Sequence, residues 1–258
     1  MSSYLRLRQI CLIAHDLEAN ARALCDTFGL AVCNRDPNVE RHGLKNVVIP
    51  IGSTFLEVVA PFRDNTPGGR HLDRLGGDGG YMVILDCDDL VQRREHFHAL
   101  GVRIVRFADY SHEGYRALHL HPKDTGGTLL SVDQDDRGGD LLGSWHPAGP
   151  DWIHFLRTGR VAAIAGAVLQ SDDPAGLAGR WSEILQRPAE MTGNQPGIRL
   201  DNAWLRFVRA DRGQPETLCG VDLKVVDRDA TLEAARRAGF LRPDGGILIC
   251  GVRFGLIG

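Results

Sequence analysis

The chain has 258 residues, 43% of them hydrophobic and 24% charged, with a net charge of −3. That length suits one large or two small domains, with enough buried surface to need neither disulfide nor metal staples. Lys and Arg are scattered rather than clustered, so no phosphate-neutralising surface is built and nucleic acid is not an expected partner.

One pattern recurs along the chain: an apolar strand ending at an acidic residue, a short amphipathic helix, then a small-residue turn into more strands. The first copy opens with a strand over 7–14. Asp16 follows as a helix N-cap, and a helix over 17–28 sets Leu17, Ala21, Leu24 and Phe28 on one face before Gly29. Strands over 46–51 and 54–60 complete this copy, closed by Pro61. Gly76, Gly77, Gly79 and Gly80 then form a flexible connection. A strand follows them and no Lys-Ser/Thr does, so they are no phosphate loop and no nucleotide cofactor is expected.

The second copy starts with a strand over 81–85, and Asp88 or Asp89 begins its helix. Leu90, Phe97 and Leu100 supply the apolar face, with strands over 102–107, 115–121 and 128–133 after it. Residues 135–159, rich in Gly, Pro and Trp and without periodicity, form a linker ordered by its tryptophans. The third copy has a strand over 161–170, a helix over 174–185 and strands over 198–200 and 204–209. The fourth has a strand over 218–226, a helix over 230–238 and a last strand over 247–257 broken by Gly251; it looks truncated. The domains expected are 1–134 (modules 1–78 and 79–134), the linker 135–159, and a degenerate second domain over 160–258. Cys11, Cys25, Cys33, Cys87, Cys219 and Cys250 lie far apart with no C-x-x-C pair. Residues 1–8 hold no signal-peptide core, and no segment approaches the roughly 18 apolar residues of a membrane span. Reduced thiols, a cytoplasmic location and no membrane partner are the expectation.

Three stretches carry a family resemblance: QICLIAHDLEANARALCDTFGLAV (9–32), GLKNVVIPIGSTFLEVVAP (43–61) and HLHPKDTGGTLLSVDQ (119–134). They resemble the vicinal oxygen chelate superfamily of glyoxalase-like proteins, well over 5–135 and more weakly from 160. The resemblance implies an α+β fold of tandem βαβββ modules, four copies with the last truncated, forming two cup-shaped mixed sheets with helices on the outer faces. It also places ligand positions on the first and last strand of each module. These are Gln9, Glu57, Tyr81 (or Met82, counted from Asp89) and Ser131.

Period-2 alternation tests these positions. Glu57 sits mid-strand among bulky apolar neighbours, where a carboxylate must meet a cation, a donor or a cavity. It is a metal ligand or a general base with raised proton affinity, or else a pocket-mouth glutamate paired with Arg6 or Arg8. Gln9 shares a face with Leu7, Cys11 and Ile13, so it is a polar residue in an apolar row. Gln9 and Glu57 are the metal candidates, for Zn, Ni, Co or Mn. Tyr81 and Ser131 are poor ligands, which argues against a tightly held divalent ion at these positions alone. Tyr81 would instead orient a substrate. His119 and His121 alternate with Leu118 and Leu120, so both share a face. Asn46 and His42 read as part of a loop entering the site, His15 as a local hydrogen bonder, and Cys33 and Cys87 as inert thiols.

Two functions follow. One is an enzyme, an isomerase or lyase moving a proton next to a carbonyl, with Glu57 and His119 catalytic and Gln9, Tyr81, Asn46, Ser131 and His121 binding substrate. The other is a metal-free protein sequestering a hydrophobic small molecule, with Phe55 and Val59 as cup wall. An iron dioxygenase is disfavoured, because the third copy offers Arg206 at the glutamate position and the fourth has no histidine. A homodimer is compatible with either.

Overall fold

The computed structural model describes residues 4–258. Four modules share one plan: a first strand, a helix, and returning strands of which the last pairs parallel to the first. That plan needs a helical crossover, because parallel neighbours cannot be joined by a tight turn.

Module one is β1 (Leu5–Ile13), α1 (Leu17–Phe28), β2 (Leu44–Ile51) and β3 (Thr54–Pro61). The expected caps of α1 are in place: Asp16 accepts from the Ala19 amide at 2.9 Å, and Gly29 closes the helix at φ 68°. Between this module and the next lies α2 (Pro67–Leu75), an element that no periodic pattern had marked, just before the glycines at 76–80. Gly68 and Gly69 give this helix poor intrinsic propensity. It forms because Thr66 caps its N-terminus, Pro67 occupies its first turn and Gly76 terminates it in the left-handed region.

Module two is β4 (Gly79–Cys87), α3 (Leu90–Ala99), β5 (Ile104–Tyr110), β6 (Tyr115–Leu120), the single turn α4 (Pro122–Thr125) and β7 (Leu129–Asp135). Asp89 rather than Asp88 caps α3, accepting from the Gln92 amide at 2.9 Å. Module three is β8 (Val161–Ser171), α5 (Pro174–Leu185), β9 (Ala189–Thr192), β10 (Gln195–Arg199) and β11 (Trp204–Arg209). Module four is β12 (Thr217–Val225), α6 (Arg228–Arg237), β13 (Ile247–Ile249) and β14 (Val252–Ile257). Cys250 and Gly251 join its last two strands with φ of 53° and 66°, a two-residue turn that accounts for the break expected at Gly251.

Modules one and four each keep only an isolated bridge, Asn34 to Val48 and Leu241 to Ile247, outside their named strands. The first module is therefore as short of strands as the fourth. Strands β1–β7 fall in one seven-stranded mixed sheet and β8–β14 in a second, an α+β architecture.

By proximity the described residues separate into two compact units that do not follow chain order. Unit 1 takes residues 4–8, 82–146 and 166–218, and unit 2 takes 9–81, 147–165 and 219–258. In unit 2 the helix α1 packs with α6, and its Phe28 meets Phe254 of β14 with ring centroids 5.0 Å apart. In unit 1 the Trp181 indole of α5 donates to Gly126 O at 3.4 Å, and the Arg93 guanidinium of α3 donates to Leu185 O at 2.7 Å. The tryptophan-bearing connection after β7 is ordered as expected. Trp145 is buried in unit 1 against Tyr115, and Trp152 in unit 2 against Phe55.

Candidate functional site

Strand register in unit 2 builds the site around Glu57. β1 and β3 run parallel with Cys11 opposite Glu57, and β2 runs antiparallel with Val48 opposite it. Cross-strand partners share a face, so Gln9, Cys11 and Glu57 point the same way. Gln9 donates from Nε2 to Glu57 Oε2 at 2.8 Å, and Asn46 donates from Nδ2 to Oε1 at 2.7 Å. Cys11 adds a thiol hydrogen bond. Both carboxylate oxygens are thus held by neutral side chains, and Glu57 is only 7% exposed.

Burial dominates the electrostatics here and raises the proton affinity of Glu57. Hydrogen bonds from Asn46, Cys11 and Gln9 pull it partly back, and the charge of Asp36 adds to the rise. Burial and the nearby Glu57 also push the Cys11 thiol well above its usual range. Asn46 lies within β2 rather than in the loop expected to enter the site. Its Oδ1 accepts the Asp36 amide at 2.8 Å. Strand position suits that task better than a loop, because both neighbours are fixed by the ladder.

Tyr81 belongs to the same unit, with its ring edge-on to His71 at 5.1 Å. Its phenol is pushed up to about 12, mostly by burial, and feels the charges of Cys11 and Glu57. With Asp89 as the helix cap, the count that leads from Asp16 back seven residues to Gln9 leads from Asp89 to Met82 instead.

Ser131, His119 and His121 lie in unit 1. Ser131 and His119 face each other across β7 and β6, with His119 half-buried. His121 is taken up locally: its Nδ1 accepts the Lys123 amide at 3.1 Å and caps α4. His42 closes a short 3-10 turn and is exposed, and His15 pairs with Asp78 at 2.8 Å.

Glu57 does not engage the arginines weighed for it. Arg6 donates to Asp86 at 2.5 Å and to Gly138 O, and Arg8 donates to Leu141 O at 2.9 Å. These contacts open a buried polar cluster in unit 1 that the sequence reading missed. Asp86 and Asp133 are register partners on β4 and β7, and Asp133 accepts hydroxyls from Tyr115 at 2.5 Å and from Ser131. Burial pushes Asp133 up to about 7 and Asp86 up to about 6. An aspartate next to last in the apolar run Val83-Ile84-Leu85-Asp86-Cys87 was the available signal.

All six cysteines are free, and burial pushes Cys33 and Cys87 up to about 12, so neither presents a thiolate.

Fold and matches together define the class. A family model described as a glyoxalase-like domain matches residues 10–185. The chain belongs to that glyoxalase-like family, within the vicinal oxygen chelate superfamily. It is 25% identical over 131 residues to an ethylmalonyl-CoA/methylmalonyl-CoA epimerase from Cereibacter sphaeroides, covering 50% of this chain and 97% of that one. It is 26% identical over 130 residues to the mitochondrial methylmalonyl-CoA epimerase of Mus musculus, covering 50% and 72%. A hypothetical protein from Staphylococcus aureus matches in structure over 98% of this chain and all of its own, with a TM-score of 0.67 at 14% identity. That likeness extends the fold, though no activity, across the carboxy-terminal half.

Relatives in this superfamily can use a divalent metal, and the residues around Glu57 fit one poorly. Among the described residues no group of three or more His, Cys, Asp or Glu is placed to hold an ion. Asn46, oriented by Asp36, turns N–H rather than oxygen toward the carboxylate. No helix is long and apolar enough to cross a membrane among the described residues.

Proposed function

We propose that the chain is a glyoxalase-like isomerase that moves a proton on carbon next to a carbonyl, with Glu57 as the proton acceptor. The observation that carries this reading is the buried carboxylate whose two oxygens are oriented by the amides of Gln9 and Asn46. A general base works best when its proton affinity lies near the operating pH, and burial shifts Glu57 in that direction. The hydrogen bonds fix the carboxylate in one rotamer, so little orientation is left to be found in the reaction. Gln9, Asn46 and Tyr81 would orient the substrate. His121, spent on the cap of α4, takes no part.

The epimerase names of the relatives supply the first substrate to try. With methylmalonyl-CoA in D2O, proton NMR should show wild-type protein washing out the α-proton. Glu57→Gln should slow this by about 100-fold or more, the usual weight of a general base. Equal rates in the two proteins would sink the assignment. Tight binding of a hydrophobic ligand with no exchange by wild-type protein would favour sequestration instead.

A further inference from the structure

We infer that Glu57 works without a resident divalent cation, because the side-chain amides of Gln9 and Asn46 stand at the carboxylate oxygens where a cation would have to bind. This deepens the reading of Glu57 as base and rests on it for its chemical consequence.

An amide presents oxygen at one end and N–H at the other, and which end faces a neighbour is set by its other contacts. Here the Asp36 backbone N–H donates to Asn46 Oδ1 at 2.8 Å, so turning the amide over would set N–H against N–H. Nδ2 is thereby committed to Glu57 Oε1 at 2.7 Å. On the other oxygen Gln9 Nε2 donates at 2.8 Å. A cation at either oxygen would meet amide protons carrying partial positive charge.

Donor count points the same way. Zinc and its neighbours in the series want at least three good protein ligands, with enough negative charge to offset their own. The side chains gathered at Glu57 are two neutral amides, the Cys11 thiol and, nearby, the Tyr81 phenol, groups that keep their protons at neutral pH. Glu57 is the single anion among them. The amides do part of a cation's work, since they orient the carboxylate and hold it against bulk water, but they bring no net charge. The proton taken from substrate carbon would pass directly to a Glu57 oxygen, with its electron pair left on the substrate as an enolate and returned when the proton comes back.

The test uses the full chain purified without an affinity tag or chelator. Mass-spectrometric metal analysis should find well under one equivalent of Mn, Fe, Co, Ni or Zn per chain. Thermal unfolding should be unmoved by EDTA or by each metal in excess, since a ligand that binds the folded state must raise its transition. Near-stoichiometric metal that is lost in Glu57→Gln, together with a transition lowered by EDTA, would overturn the inference. Metal that persists unchanged in both Glu57→Gln and Glu57→Ala, the second of which offers no oxygen ligand, sits elsewhere and supports the inference. The α-proton assay separates this from the proposed function. A metal-free protein that exchanges nothing ends that reading alone, whereas exchange that appears only on adding metal ends this inference and keeps the isomerase.

Discussion

Asn46 divides its side chain between two neighbours, giving its carbonyl to Asp36 and its amide to Glu57. The second bond stabilises the ionised carboxylate and opposes the rise caused by burial. Asn46→Leu should therefore raise the proton affinity of Glu57 further, and with it the pH below which activity falls. The acidic limb of the kcat/KM profile should move to higher pH, and stability should drop by about 1–3 kcal/mol for the unsatisfied buried groups. An unmoved acidic limb would show that Glu57 is not the titrating base. Gln9 and Glu57 were legible in the sequence as polar residues interrupting apolar rows. Their mutual bond was not, since it depends on a parallel register across 48 residues of chain.

At the scale of the element, β7 carries Ser131, Asp133 and Asp135 on one face and buried Leu130 and Val132 on the other. Ser131, Tyr115, Asp86 and Arg106 surround Asp133, and burial still outweighs the two hydroxyl bonds. The sign follows from an acid whose folded value, about 7, exceeds its ordinary 3.8. Below pH 4 the group is protonated in both states and costs nothing, and between 4 and 7 its ionisation increasingly opposes folding. Asp133→Asn should accordingly stabilise the protein at pH 8 by on the order of 1–3 kcal/mol, less what the lost acceptor removes, and do little at pH 4. Melting curves across that range decide it, and a difference between variant and wild type that does not grow with pH would refute the burial argument. The alternation that sets His119 between Leu118 and Leu120 on β6 was readable in advance, whereas the strand stops before His121 and β5 begins two residues later than its apolar pattern implied. An irregularity between Ile104 and Arg106 interrupts its pairing, and period-2 reasoning has no way to place such a shift.

Across the whole molecule, the plan of repeated modules was visible because each helix carries its own cap, and Asp16, Asp89, Asp173 and Asp227 all accept from the first turn. Which modules share a core was hidden, because that depends on contacts between residues far apart in sequence. Each sheet holds one half of the chain, yet each compact unit draws on both halves. In unit 2 the carboxy-terminal Phe254 packs on Phe28, the Cys250 thiol reaches Ile13 O, and Thr54 accepts the Ile164 amide at 3.0 Å. In unit 1 Leu5 and Leu7 give their amides to Asp201 and Asn202 at 2.7 and 2.9 Å. A fragment of residues 1–135 loses all of these partners and exposes Phe28 and the neighbouring faces, each large side chain worth roughly 1.5–3 kcal/mol of burial. Against a usual margin of about 5–15 kcal/mol, that loss is decisive. The fragment should bind a hydrophobic dye and unfold without a sharp transition, while the full chain melts cooperatively. A fragment melting sharply within about 5 °C of the full chain would mean that the first two modules hold their core without the last two.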